Sequence, residues 1–417
     1  MSFVYLVAIV VAYFLPAYTS NPYLVWGLPF GLIFSASFMF AGIQQLPLQI
    51  FWRMEQLSFT LITARLSQII ILVPVVYLFF RNVNFNGSSL SILAFCLIMF
   101  SVVVSSIGQN IEIHIRAKKI LPLKIKFDRK FTKDIIKKNR QYGVSYYLSS
   151  FHTLIVLIFL GWFFPTSSGH DYTGMRALSL SLVEILLIIP SALGNSILHK
   201  ISNYSLVDKL KSFGNFFILI FWIGTIIAIN FWIFSDWIIL AVSGKAFLGS
   251  FDTIWHRGSN QILPFLGLVL FASFIKQVYN YLFVAVDKQN VLLPINLVGV
   301  ILGIPLGVLI IPKYGLLGGV ITQVFIEIIF MFGAILVGIR KKISPVIDYK
   351  KIFKLFGLII LFAFFAYVFN NYFKIGLIGF FIFVPIFNLI LIWVSLPIIK
   401  KVARGLTVEE NIIEPLV

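Results

Sequence analysis

Five ionisable residues stand inside long apolar runs of this sequence: Arg65, Arg176, Glu184, Lys276 and Glu327. A charge in hydrocarbon costs about 2.5–3.5 kcal/mol on insertion scales, so such groups face water, a ligand or an opposite charge. Side-chain amides accompany them at helical spacing. Gln68 follows Arg65 by one turn, Gln277 adjoins Lys276, Asn280 lies four residues beyond Lys276, and Gln323 precedes Glu327 by four. The set offers cations for phosphate or carboxylate, carboxylates for cations, and amides that both donate and accept. Two readings follow, and they can coexist. One is a water-filled interior that meets a charged substrate; the other is a pairing of Lys276 or Arg176 with Glu184 or Glu327 that holds helices together.

Other chemistry has little support. The histidines (His114, His152, His170, His199, His256) are scattered, none at metal-ligand spacing from another histidine or a cysteine, and Cys96 is alone in an apolar segment. No P-loop is present, so neither a metal, a cofactor nor a catalytic set is expected. His170 and Asp171 read as part of a solvated outer turn, SSGHDYTG, His152 as a packing residue and Arg53 as a side chain that snorkels to the headgroups.

The elements that position these groups must be membrane helices. The chain has 417 residues, 60% hydrophobic and 17% aromatic, with only 12% charged and a mean hydropathy of +1.00. Soluble domains are about 25% charged, so no water-facing surface can be made from this composition. Twelve apolar runs reach the roughly 18 residues that cross the bilayer as a helix, at 3–19, 24–50, 57–80, 90–113, 141–164, 173–198, 213–241, 261–285, 289–311, 314–339, 352–370 and 375–397. Barrel strands would be about half as long and would alternate in polarity, so the expected class is an all-α, polytopic membrane protein. The first basic residue is Arg53; with no basic segment before the first run, that run is expected to be retained as a helix.

Basic residues set orientation, because short cytoplasmic loops keep them. With a cytoplasmic N-terminus, 25 Lys and Arg fall inside, only Arg81, Lys245, Arg257, Lys313 and Lys374 fall outside, and both termini are expected to be cytoplasmic. The net charge of +18 then reflects this bias and attraction to anionic membrane lipid. Eleven of the basic residues crowd into 111–140, IEIHIRAKKILPLKIKFDRKFTKDIIKKNR. No soluble domain or aromatic platform accompanies them, so a nucleic-acid partner is not expected. Phe131, Ile135 and Ile136 oppose Lys130, Lys133, Lys137 and Lys138 on a helical wheel, which suits a short helix lying in the interface. The expected division is 1–113 with four spans, a basic connecting loop at 114–140, 141–339 with six spans, and a terminal helix pair with its tail at 340–417.

Several stretches carry a family resemblance. PSALGNSILHKIS (190–202) and HDYTGMRALSLSLVEI (170–185) resemble the end and the entry of one helix in polysaccharide exporters of the MOP superfamily, the group that includes Wzx-type O-antigen flippases. VDKQNVLLPINLVGVILGIPLGVLIIPKYGLLGGVITQVF (286–325) is similar to the paired helices of that family joined by a tight P-x-Y-G turn, here Pro312, Tyr314 and Gly315, with Gly318 and Gly319 following. LPLQIFWRMEQLSFTLITARL (46–66) resembles the junction between its fourth and fifth helices. The resemblance covers nearly the whole chain but begins at about the third helix of the family, so a bundle short of its usual first two helices is expected.

It implies two lobes around a central cavity, a cytoplasmic joint at 111–140, and alternating access. The activity implied is transfer of an undecaprenyl diphosphate-linked oligosaccharide repeat unit across a bacterial plasma membrane for O-antigen, capsule or exopolysaccharide synthesis, with a polysaccharide polymerase and a chain-length regulator as partners. Arg65, Arg176 and Lys276 would attract the diphosphate or acidic sugars, Glu184 and Glu327 would balance charge or couple to an ion, and Gln68, Gln277, Asn280 and Gln323 would bind sugar. Two alternatives stay open: a cation-coupled drug exporter of the same superfamily, whose cavity would be dominated by acidic groups, and a polysaccharide polymerase or ligase, which would carry a larger outer loop than 234–258.

Overall fold

A computed structural model of the chain describes residues 22–50, 54–80, 89–120, 128–164, 167–201, 204–249, 258–373 and 376–406. The described residues form α-helices and short 3-10 turns, with no strand among them. The chain divides into two compact units, Met1–Arg129 and Lys130–Val417. The apolar runs expected from 24 onward fall on described helices, whereas the run at 3–19, Arg53 and the tail after 406 lie outside the described residues. Among the described residues, eight stretches are long and apolar enough to cross a membrane, and the one from Gln289 to Arg340 is broken at Gly315. The chain is a multi-pass membrane protein.

The first unit contains α1 (Pro22–Ile50), α2 (Met54–Phe80) and α3 (Ser89–Lys118). α3 packs on both of the others and is tied to them by polar contacts that apolar faces alone would not fix. Asn110 donates to the Ser37 carbonyl at 2.7 Å, and Ser105 donates to the Ala64 carbonyl. Glu112 pairs with Arg116 at 2.7 Å and accepts from Thr63, while the Arg116 guanidinium lies 4.8 Å from the centroid of the Phe59 ring.

The second unit comprises α4 (Arg129–Phe163, of which Arg129 belongs to the first unit), α5 (Ser167–Leu186), α6 (Ile188–Lys200), α7 (Leu206–Ser243), α8 (Ser259–Ala285), α9 (Leu292–Arg340), α10 (Tyr349–Phe373) and α11 (Leu377–Arg404). α8 is its axis: 17 of the 27 residues are buried, against α7, α9, α5 and α6. The other helices turn many large apolar side chains outward, as lipid requires. α10 and α11 pack on α7, whose helical geometry breaks at Phe234 (φ −115°, ψ 20°), and Phe234 meets Phe380 and Phe383 there.

A reciprocal amide pair also joins α11 to α7. Asn230 donates to Asn388 at 3.0 Å and Asn388 donates back at 3.1 Å, and each amide sends its second hydrogen to a carbonyl of its own helix. Asn388→Ala is expected to destabilise detergent-solubilised protein by about 0.6–1.7 kcal/mol, the range of polar contacts between membrane helices. The paired change Asn230→Leu with Asn388→Leu should cost less than Asn388→Ala alone, because it leaves no orphaned amide. Thermal unfolding followed by size-exclusion fluorescence measures both.

Several local expectations are revised. The long basic connection shortens, because α3 runs to Lys118 and α4 starts at Arg129. Phe131, Ile135 and Ile136 lie in α4, which continues without a proline into the membrane run and sets off no separate interfacial helix among the described residues. The SSGHDYTG stretch is helical from Ser167 instead of an outer turn, and α7 reaches Ser243, which shortens the expected outer loop from its start. The run 173–198 divides at Leu187 into α5 and α6, where Pro190 cannot bond the Leu186 carbonyl four residues back.

The 49 residues of α9 would extend about 73 Å as one rod, far beyond a bilayer. It doubles back at Gly315, whose φ of 52° and ψ of −127° are open to glycine but strained for other residues. The contacts give the register: Gly299 faces Phe330, Gly303 faces Ile326, Gly307 faces Thr322, and a β-carbon at Gly318 would stand 2.8 Å from the Ile310 carbonyl oxygen. Four residues forward on one arm match four back on the other, so the arms are antiparallel. Glycines at every fourth position let the two backbones approach closely.

Candidate functional site

The second unit contains a cavity of about 690 Å³ between α4, α5, α6, α8 and α9. Each wall is a polar stripe on an otherwise apolar helix. α4 supplies Ser145, Ser149 and Thr153 at intervals of four, one face of a helix. Glu184 comes from α5, and Ser191 and Asn195 from α6. α8 adds Ser273, Lys276, Gln277, Asn280 and Tyr281, and the two arms of α9 add Asn296 and Glu327.

Lys276 and Glu327 form the buried centre. The ammonium lies 2.7 Å from the Glu327 carboxylate, with side-chain exposures of 10% and 5%, and 4.9 Å from the centroid of the Phe330 ring one turn beyond. A buried ion pair of this kind survives only if each charge is compensated, here by the opposite charge and by the negative face of an aromatic ring. Position 276 lies on the most buried helix and 327 on the returning arm of α9, so the hairpin brings this carboxylate to this lysine.

Neutral hydrogen bonds brace the walls. Asn296 donates to the carbonyl and hydroxyl of Ser145 at 2.9 and 2.8 Å, tying α9 to α4. Ser191 lies 3.0 Å from Gln277 Oε1, and the Tyr281 hydroxyl donates to the Ser191 carbonyl at 3.1 Å, tying α6 to α8. Glu184 stays open: its side chain is exposed to the cavity, and no hydrogen bond or ion pair reaches its carboxylate among the described residues.

Arg176 is set apart from the cavity wall. It has no exposed surface, and its Nη2 donates to Gln323 Oε1 at 2.8 Å and to the Thr153 carbonyl at 3.2 Å. Nε and Nη1 reach no partner among the described residues. Glu184, two turns along α5, acts on this guanidinium through space.

Five of the nine residues expected from sequence therefore line the cavity: Glu184, Lys276, Gln277, Asn280 and Glu327. Arg176 and Gln323 are bonded together behind it. Arg65 and Gln68 lie on α2 in the first unit, where Gln68 is half-buried and the Arg65 side chain is outside the described residues, as are those of His152 and Asp171. The Lys276–Glu327 pair joins two helices, as the second sequence reading expects, and it also faces the cavity. The residues missed were Ser145, Ser149, Thr153, Ser191, Asn195, Ser273, Tyr281 and Asn296. Their signal was the spacing of hydroxyls and small amides at three or four residues, which single-residue inspection passes over.

No family model matches the chain, and no curated protein matches it. Among solved structures, one described as lipid II flippase MurJ in an inward closed conformation superposes with a TM-score of 0.63 at 15% sequence identity, covering 96% of this chain and 80% of that one. The chain shares the fold of that flippase. At this identity the likeness concerns backbone arrangement and leaves the cavity chemistry to be argued from the residues.

Proposed function

We propose that this protein is a flippase of the MOP type that moves a saccharide linked to undecaprenyl diphosphate from the inner to the outer leaflet of a bacterial plasma membrane. The observation that carries the reading is the cavity of about 690 Å³ lined with hydroxyls, amides and an ion pair inside an otherwise lipid-facing helical unit. Polar walls at membrane depth are costly unless they meet water or a polar cargo. Hydroxyls and amides that both donate and accept suit a sugar chain. The described lipid II flippase, with the same fold, supports a lipid-linked cargo. Transport by conformational change fits better than catalysis, since no catalytic constellation is assembled among the cavity residues.

In this reading the cargo is an oligosaccharide repeat unit for O-antigen, capsule or exopolysaccharide, and a polymerase with a chain-length regulator would use the product. Lys276 and Arg176 of the second unit, with Arg65 of the first, would attract the diphosphate, and Glu184 or Glu327 would balance charge. Both termini would be cytoplasmic. The lobes would be 1–113 and 141–339, with the basic segment across 114–140 on the cytoplasmic side and α10 and α11 as an accessory pair.

One observation favours a second reading. Two lining carboxylates, Glu184 and Glu327, face one lining ammonium, Lys276, which suits a cation-coupled exporter of small molecules better than three free cations would. Reconstitution separates the two. Vesicles holding the protein should move fluorescent undecaprenyl diphosphate saccharide between leaflets well above protein-free vesicles. No movement of that lipid, together with drug efflux in cells, would give the second reading precedence.

A further inference from the structure

The residues that line the cavity carry two carboxylates and one ammonium, and the Arg176 guanidinium lies behind them with no exposed surface. Lys276, the one lining cation, is engaged by Glu327 at 2.7 Å and by the Phe330 ring. Glu184 remains as an open carboxylate that only accepts hydrogen bonds. The same cavity is lined by groups tolerant of a neutral or donor-rich molecule: the hydroxyls of Ser149 and Thr153 and the amides of Asn195 and Asn280.

From this arrangement we infer that the cavity is a saccharide site selective for sugars without acidic groups, and that Glu184 sets the selectivity. The inference rests on the flippase reading and narrows its cargo. Sugar hydroxyls and amino groups donate to the open carboxylate. A uronate or similar acidic sugar meets like charge there, and such juxtaposition is an established route to rejecting a wrong partner. Lys276 offers no escape. In the proposed reading the diphosphate claims that ammonium, which leaves none among the lining residues for a sugar carboxylate. This reverses the expectation from sequence that the interior cations draw acidic sugars.

The test uses the full-length protein in vesicles of phosphatidylethanolamine and phosphatidylglycerol. Two fluorescent cargoes share undecaprenyl diphosphate and differ in the sugar, one an N-acetylglucosamine trisaccharide and the other a galacturonic acid trisaccharide. The neutral cargo should cross at least about tenfold faster than the acidic one, and Glu184→Gln should shrink that ratio to about threefold or less. Equal rates for the two cargoes, or a ratio untouched by Glu184→Gln at normal protein yield, would overturn the inference and leave the flippase reading standing. If neither cargo crosses, the flippase reading fails, and calorimetry on detergent-solubilised full chain with the two free trisaccharides decides the selectivity separately. Equal affinity for both, or binding of neither, overturns it; a preference for the neutral sugar that Glu184→Gln removes supports it.

Discussion

Lys276→Met is expected to damage the protein more than removing both members of its ion pair. The single change takes the Lys276 ammonium away from the Glu327 carboxylate, whose side chain is 5% exposed. Breaking a buried pair from one side typically costs about 3–5 kcal/mol, because the remaining charge keeps its desolvation penalty and loses its compensation. The double change Lys276→Met with Glu327→Leu removes the penalty and the attraction together, and replacements of that kind are often neutral or stabilising by about 1–4 kcal/mol. Stability in detergent should therefore fall by several degrees for Lys276→Met and return close to the parent value for the double variant. Transport should stay low in both, since neither retains the cation proposed to receive the diphosphate. If stability losses for the two single changes simply add in the double variant, the pair is not coupled and the close contact carries no energetic weight.

This pair also connects fold to mechanism. Glu327 sits on the returning arm of α9, so its distance from Lys276 depends on the register of the hairpin. In the proposed reading an arriving diphosphate would compete with Glu327 for the same ammonium. Loading the site and loosening the contact between α8 and α9 are then one event, which gives the proposed lobe a reason to change shape when cargo enters.

What could be read from the sequence divides along physical lines. Span positions were legible from 24 onward, since the transfer cost of side chains alone sets them, and the paired helices at 289–339 were legible from their glycines. The charges were legible as a set because each is too expensive to be accidental at membrane depth. Their partners were not. Lys276 could have met Glu184 as readily as Glu327, and only the packing of α8 against the α9 arm decides it. Hydroxyls were missed for the opposite reason: a serine in a membrane helix costs little, since it can bond its own backbone, as Ser191 does with the Leu187 carbonyl at 2.9 Å. Whether it also faces a cavity is a tertiary fact. Helix ends near Lys118 and Arg129 were missed because a basic segment reads as a loop by hydropathy, although Lys and Arg are good helix formers.

Gly315→Val should be the most damaging change outside the cavity. Position 315 reverses a helix at a φ of 52° and ψ of −127°, where a β-branched side chain collides with its own backbone. Strain of this kind costs about 1–3 kcal/mol if the turn is kept. Relaxing the turn is worse, because the arms mesh through Gly299, Gly303 and Gly307, where added separation loses contacts along the whole hairpin. A small rotation of the returning arm would also carry Glu327 away from Lys276. The expected result is reduced yield of folded protein and transport lost by more than the drop in yield explains, both measured on membrane fractions and reconstituted vesicles. Tyr314→Val, next to it on an exposed position, adds a β-branched residue without a positive φ and should behave like the parent. If Gly315→Val and Tyr314→Val are indistinguishable, the reversal does not depend on the glycine, and the register that brings Glu327 to Lys276 must be held by the packed arms alone.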